Sequence, residues 1–300
     1  MKEWTLSQRY AIVALDGLES LHPSMAKDAV LRGIAAAKIL EVCMTAEEEC
    51  DCDTFQEKLK MAVEEAKSIH KKERKELEHE MASLLEADGV LEEVPDILGC
   101  DINYYTAGVE LKAYRSDSDV YLRIREELRA EILEEGEVSI DSVILLWLFR
   151  ESGCIHDLFS AKEQERLQNR MLTLAAEQEM YHSLWQAEFY SAVEKLTEKF
   201  LRVKKKLFKN PYLEGVNLIF PYLERRNAIF IDFVVLGTNV EQRRIAVMEH
   251  LVQHGHYVEE VKSGSETLLK VDNNYYRIFP GTVRAYKVPI QGANIVPVYW

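Results

Sequence analysis

Three histidines are the first residues in this chain whose spacing suggests chemistry. His250, His254 and His256 form H-x3-H-x-H, and the first two stand one helical turn apart, a spacing that metal ligands use. The helix they lie on is expected to turn Ile245, Met248 and Val252 to the core, which puts His250 well round from that face. No carboxylate completes an H-E-x-x-H pattern. These are therefore read as solvated histidines, with no metal and no cofactor. Glu47, Glu48, Glu49, Asp51 and Asp53 beside Cys50 and Cys52 could hold a cation, but the glycine that a D-x-[DN]-x-[DN]-G loop needs for its sharp turn is missing. A solvated loop is the expectation.

Glu151, Cys154, His156 and Asp157 sit together in sequence and resemble a thiol site. Cys154 and His156 are only two residues apart around Gly153, so direct activation of the thiol would need an unusual backbone, and packing is the better reading of Cys154. Neither G-x-S-x-G, nor G-x-x-x-x-G-K-[ST], nor G-x-G-x-x-G occurs. No catalytic residue is assigned, and the chain is not expected to be an enzyme.

Two clusters of cations remain. Lys71, Lys72, Arg74 and Lys75 fall in KKERKE, and Lys195, Lys199, Arg202, Lys204, Lys205, Lys206 and Lys209 interleave with Phe200, Leu201, Leu207 and Phe208. Part of the second cluster suits a helix C-terminus, where cations complement the dipole. Near an anionic membrane, each such residue is worth about 1 kcal/mol.

These residues must be positioned by a mostly helical chain. Val143 to Phe149 is apolar without a break, as in a helix buried on every side; seven residues fall far short of the roughly 20 that span a bilayer. Helical periods predict Trp4–Asp16, Ser24 to about Met44, a long helix from Phe55 to Leu85 closed by Gly89, Asp119–Glu134, and Ala161–Lys209 with a bend near Glu179. Between Val90 and Lys112, short β-prone runs (Ile102–Thr106, Val109–Leu111) punctuated by Pro95, Gly99 and Gly108 predict a hairpin or wing. Asn210-Pro211 marks a boundary. Beyond it the sequence predicts a strand at Ala228–Leu236, a helix at Val240–His254, and short strands at His256–Lys262, Thr267–Val271, Tyr275–Phe279, Thr282–Val288 and Ile295–Tyr299. The expected fold is mainly α: a multi-helix globular domain over 1–210 with a projecting β-hairpin, then a small α+β domain over 211–300.

The totals limit the function classes. A formal net charge of −14 argues against nucleic acid as partner, because binding phosphates needs clustered Lys and Arg. The cysteines (Cys43, Cys50, Cys52, Cys100, Cys154) contain no C-x-x-C and are expected to be reduced thiols in the cytoplasm. Lys2 is followed by Glu3, and Asp16 cuts the apolar Ala11–Leu15, a pattern of neither signal peptide nor anchor.

Three segments resemble the Golgi phosphoprotein 3-like family. They are WTLSQRYAIVALDG (Trp4–Gly17) with AVLRGIAAAKILE (Ala29–Glu41), LLEADGVLEEV (Leu84–Val94), and VILLWLFRESGCIHDLFSAKEQERLQNRM (Val143–Met171). The resemblance covers about residues 4–200 and implies a helical domain with a projecting hairpin that binds phosphatidylinositol 4-phosphate at a membrane surface and recruits proteins without catalysis. In that family a tryptophan and three arginines hold the headgroup. Aligned on L-R-G and G-V-L, the tryptophan falls at about Pro23, the first arginine near Val42–Met44, and the paired arginines on Lys75 and Glu78, where Glu78 would repel a phosphate. The expectation is a non-enzymatic peripheral membrane or adaptor protein, cytoplasmic or membrane-peripheral. Its anionic headgroup would meet Lys71, Lys72, Arg74 and Lys75, and Lys204, Lys205 and Lys206. The alternative is a soluble interaction or regulatory protein that binds a protein partner through the hairpin 90–112.

Overall fold

A computed structural model describes residues 2–20, 24–45, 51–102, 108, 110–190, 199, 225–226, 228–232, 239–264, 267–285 and 288–298. It is mainly helical, with a two-stranded hairpin and a five-stranded antiparallel sheet. The Asn210-Pro211 boundary lies outside the described residues.

The centre of the helical part is α6 (Ile140–Glu151). Every residue from Val143 to Phe149 is buried, and Trp147 is fully enclosed. Its indole N–H donates to the Ala187 carbonyl at 2.9 Å and its ring meets Phe189 edge-on at 5.2 Å, so a large apolar side chain is buried without leaving its one donor unpaired. Around it pack α1 (Leu6–Ala14), α2 (Met25–Thr45), α5 (Ser118–Leu133) and α9 (Glu179–Gln186). Thr5 and Gln8 close α1 with a capping box.

Gly33, in the L-R-G segment, lets α1 approach α2: a methyl group there would collide with the ring and hydroxyl of Tyr10. Gly33→Ala is therefore expected to lower stability by about 1–3 kcal/mol through overpacking. Urea unfolding checks this, and a loss under about 0.5 kcal/mol would show that Tyr10 swings aside freely.

The long helix predicted from Phe55 to Leu85 is two helices, α3 (Cys52–Ser68) and α4 (Lys71–Ala87). Ile69 takes an extended backbone (φ −50°, ψ 124°) and buries its side chain. The break is held by arginines: Arg32 donates to the carbonyls of Ala66 and Lys67, and Arg74 to that of Ile69 at 2.7 Å. These carbonyls would otherwise be orphaned at the end of α3. The period of the apolar residues carries no trace of guanidinium caps that come from other helices. Gly89 ends α4 in a left-handed turn (φ +71°), with Val90 N–H bonded to Leu85 O and Gly89 N–H to Glu86 O, the paired bonds of a Schellman motif.

The hairpin pairs β1 (Leu91–Pro95) with β2 (Lys112–Ser116) in antiparallel register, so its second strand begins where the predicted Val109–Leu111 run ends. Residues 103–107 and 109 of the connection, with most of the predicted Ile102–Thr106 run, lie outside the described residues, and the described part of the connection packs inward. Its 3-10 turn Ile97–Cys100, together with Leu111, contributes Leu98, Cys100 and Leu111 to a second apolar core with Ile229, Val247, Leu251, Leu269 and Ile295. Downstream of α5 and α6, the helices are α7 (Ile155–Leu158), α8 (Ala161–Glu177) and α9, with extended Gln178 (φ −133°) interrupting the last two near the predicted bend.

The C-terminal part holds β3 (Ile229–Asp232), α10 (Val240–Gln253), β4 (Val258–Lys262), β5 (Thr267–Val271), β6 (Asn274–Ala285) and β7 (Val288–Pro297), in the sheet order β3-β7-β6-β5-β4. The run Tyr275–Phe279 and residues Thr282–Ala285 of the next run form one strand, β6, which pairs along its length with β7, while 286 and 287 lie outside the described residues and Val288 opens β7.

Candidate functional site

A hollow of about 620 Å³ opens between α2 and α4 and is closed at one side by the hairpin, a volume in the usual range for small-ligand pockets. From α2 come Lys27, Asp28 and Leu31, with Ser24 just before it; from α4 come Lys71, Arg74, Lys75, Glu78, His79, Ala82, Ser83 and Glu86; Ser20, Glu93 and Tyr114 complete the lining. Both helical sets recur every three or four residues, so each is one helix face.

The depth of the hollow is electrostatically closed. Lys27 is buried and gives its ammonium to Glu78 at 2.7 Å, to the Glu19 carbonyl at 3.0 Å and to the Ser20 carbonyl. That uses all three of its donors. Burial pulls its pKa below the ordinary lysine value despite the nearby Glu78 carboxylate. Glu78 also accepts from Tyr114 Oη at 3.2 Å, and burial together with Glu78 raises the Tyr114 pKa. Asp28 is held by Arg32 at 2.8 Å and Arg74 at 2.9 Å. The carboxylate of Glu78 is thus neutralised by Lys27, which answers the repulsion expected of it.

The mouth is different. Lys71 and Lys75 are exposed, line the hollow, and have no ion-pair partner among the described residues. They stand one turn apart, so they repel each other. Lys71 also opens α4, where the helix dipole is already positive. At the far end are Glu86 and Glu93, with about 16 Å of helix rise between Lys75 and Glu86. The hollow therefore runs from a cationic end to an acidic one.

Of the residues expected to meet a headgroup, Lys71, Arg74 and Lys75 come together here. Arg74 is committed to Asp28 and Ile69. Lys72 is exposed outside the hollow and pairs with Glu76 at 3.5 Å. Lys204, Lys205 and Lys206 lie outside the described residues, as do Pro23 and the acidic residues 47–49. Sequence reasoning missed Lys27, Asp28 and Tyr114. The i,i+4 pair Asp28–Arg32 was legible on α2, but nothing in the sequence places Tyr114 against Glu78.

The residues of the thiol cluster are held by burial, hydrogen bonds and ion pairs. Cys154 is buried with its sulfur 3.1 Å from Ser152 Oγ, and burial pushes its thiol up. Glu151 accepts the Phe189 and Tyr190 amides, each at 2.9 Å. Asp157 is bound by Arg225 and Arg226.

The histidines are placed by a helix face turned only part of the way from the expected one, with Met248 packed against the second core as expected. Ile245 and Val252 are exposed and the core residues of α10 are Val247 and Leu251. At 3.6 residues per turn, His250 and His254 lie within about 60° of Val247, on the inward side. There they meet Cys100, the three ligand atoms lying within 4.8 Å of one another. Burial pushes the Cys100 thiol up to about 12, with Asp96, Asp272 and Asp101 adding to the effect. His256 is apart from this group and contacts Asp272 through Nδ1 at 2.9 Å.

No protein-family model, curated protein or solved structure matches this chain. The functional reading accordingly rests on the geometry of the hollow. No helix among the described residues is long and apolar enough to cross a membrane.

Proposed function

We propose that the hollow between α2 and α4 receives a phosphorylated anion, the headgroup of phosphatidylinositol 4-phosphate, and that the protein works without catalysis as a peripheral membrane or adaptor protein. The observation that carries this reading is the pair Lys71 and Lys75, two cations without an ion-pair partner among the described residues, one turn apart at the positive end of α4. A phosphate between them relieves their repulsion and meets the helix dipole at the end where anions bind. Lys27, whose three donors are used, and Arg74, paired with Asp28 and the Ile69 carbonyl, add field to the site. Ser83 and His79 on the same face of α4 offer further polar groups. The resemblance of residues 4–200 to the Golgi phosphoprotein 3-like family supports the same reading.

Co-sedimentation with phosphatidylcholine vesicles, with and without phosphatidylinositol 4-phosphate, tests it. Binding is expected only with the phosphoinositide, and Lys71→Ala with Lys75→Ala should weaken it by about 2 kcal/mol, roughly thirtyfold. Equal, negligible sedimentation with both vesicles at low salt overturns the reading.

One observation favours a second reading, a protein-interaction surface. Ile245 and Val252 on α10, and Tyr257 and Val261 at and beside the edge strand β4, are 43%, 56%, 67% and 48% exposed. The hairpin is a poorer docking element, because Leu98, Cys100 and Leu111 are already covered. Replacing Ile245 and Val252 by serine should then abolish capture of a protein partner and leave vesicle binding intact.

A further inference from the structure

We propose that Cys100, His250 and His254 form a binding site for a divalent transition-metal ion of the zinc class. Their sulfur and ring-nitrogen atoms all lie within 4.8 Å of one another. The ligand atoms of a tetrahedral zinc stand roughly 3.3–3.6 Å apart, from Zn–S of about 2.3 Å and Zn–N of about 2.0–2.1 Å, so a small rotation of the rings closes the triangle. One imidazole comes from the last turn of α10 and the other from His254, which caps its C-terminus, with ring centroids 4.3 Å apart. The thiol comes from the 3-10 turn of the hairpin.

A second, independent feature points to a ligand. Nε2 of His250 is shut off from solvent and has no hydrogen-bond partner among the described residues. A buried imidazole nitrogen left unpaired is costly, and a metal ion between it and Cys100 satisfies it. His254 is oriented for the same purpose. Its Nδ1 lies 2.8 Å from the His250 carbonyl, which fixes the ring and leaves Nε2 as the coordinating atom, the outer-sphere arrangement usual for metal-bound histidine.

The donor set, one sulfur and two imidazoles, selects zinc-class ions over magnesium or calcium, which prefer oxygen. Three protein ligands leave a fourth position for water or an exogenous group. Because Cys100 belongs to the hairpin and the histidines to α10 and its C-cap, the ion would join the two parts of the chain across the second core. This site is remote in sequence from the α2–α4 hollow, and its test does not depend on what the hollow binds.

The full-length protein, treated with a chelator and then titrated with zinc alone against a chromophoric competitor, is expected to take up one equivalent. Excess magnesium should not compete. Cobalt in place of zinc should give the near-ultraviolet charge-transfer band of a thiolate ligand, and Cys100→Ser should remove that band. His254→Gln, at a half-buried position that tolerates the change, should cost at least about a hundredfold in zinc affinity, beyond the 10- to 100-fold typical of outer-sphere losses. Circular dichroism establishes that each variant is folded. Absence of competitive uptake by the wild-type chain overturns the site. So does uptake that survives unchanged in both folded variants, which would place the ion elsewhere.

Discussion

Replacing Asp157 by asparagine is expected to cost about 3–5 kcal/mol of folding stability, the usual penalty for stranding buried charge. Asp157 is buried and accepts from Arg225 Nε at 2.7 Å and from Arg226, while Arg225 also donates to the Ala14 carbonyl at 3.2 Å. Burial alone would raise the Asp157 carboxyl, but the charges of Arg226 and Arg225 hold it below its ordinary value. Asparagine keeps the shape and removes the negative charge that both buried guanidinium groups pair with. Urea unfolding measures the loss, and a change below about 1 kcal/mol would mean that water reaches both arginines. Because the folded pKa is depressed, the wild-type contribution is present above the unfolded value of 3.8 and disappears as the pH falls through the folded value.

Asp16 should behave with the opposite sign. It follows α1, is buried, and accepts from Ser116 N–H at 2.9 Å, Asn273 Nδ2 at 2.9 Å and Asn274 Nδ2 at 3.2 Å. It therefore ties α1 and β2 to the β5–β6 turn. Burial pushes its carboxyl from 3.8 up to about 6, the bonds from Ser116 and Asn273 pulling it only part of the way back. Between those values the folded state holds more protons than the unfolded one, so stability falls as the pH rises. Asp16→Asn removes the titration. The stability of wild type relative to this variant should drop by about 2 kcal/mol between pH 4 and pH 7. Parallel urea titrations that give a constant difference across that range would show that Asp16 is solvated.

Elements with a local cause were legible in the sequence. The apolar run Val143–Phe149 fixes a helix buried on all sides because no face of it suits water. Gly89, Gly153 and Gly255 mark stops because left-handed backbone strongly favours glycine there. Lys71, Arg74 and Lys75 lie on one face of α4 by helical spacing alone, so part of the candidate hollow could be read in advance.

Where the cause lies in another element, the sequence was silent or misleading. The corner at Ile69 depends on Arg32 reaching across from α2. The neutralisation of Glu78 depends on Lys27 from α2 and on Tyr114 from the hairpin. Alpha-helical periodicity allowed Ile245, Met248 and Val252 as the inward face of α10; Met248 does pack against the second core, but the buried residues are Val247 and Leu251 while Ile245 and Val252 are exposed, and a hydrophobic pattern does not say which of two apolar stripes a partner covers. That choice turns His250 and His254 inward onto Cys100, 150 residues earlier in the chain. Helical spacing is a property of one segment, whereas a site assembled from hairpin, helix and turn exists only once the segments have packed.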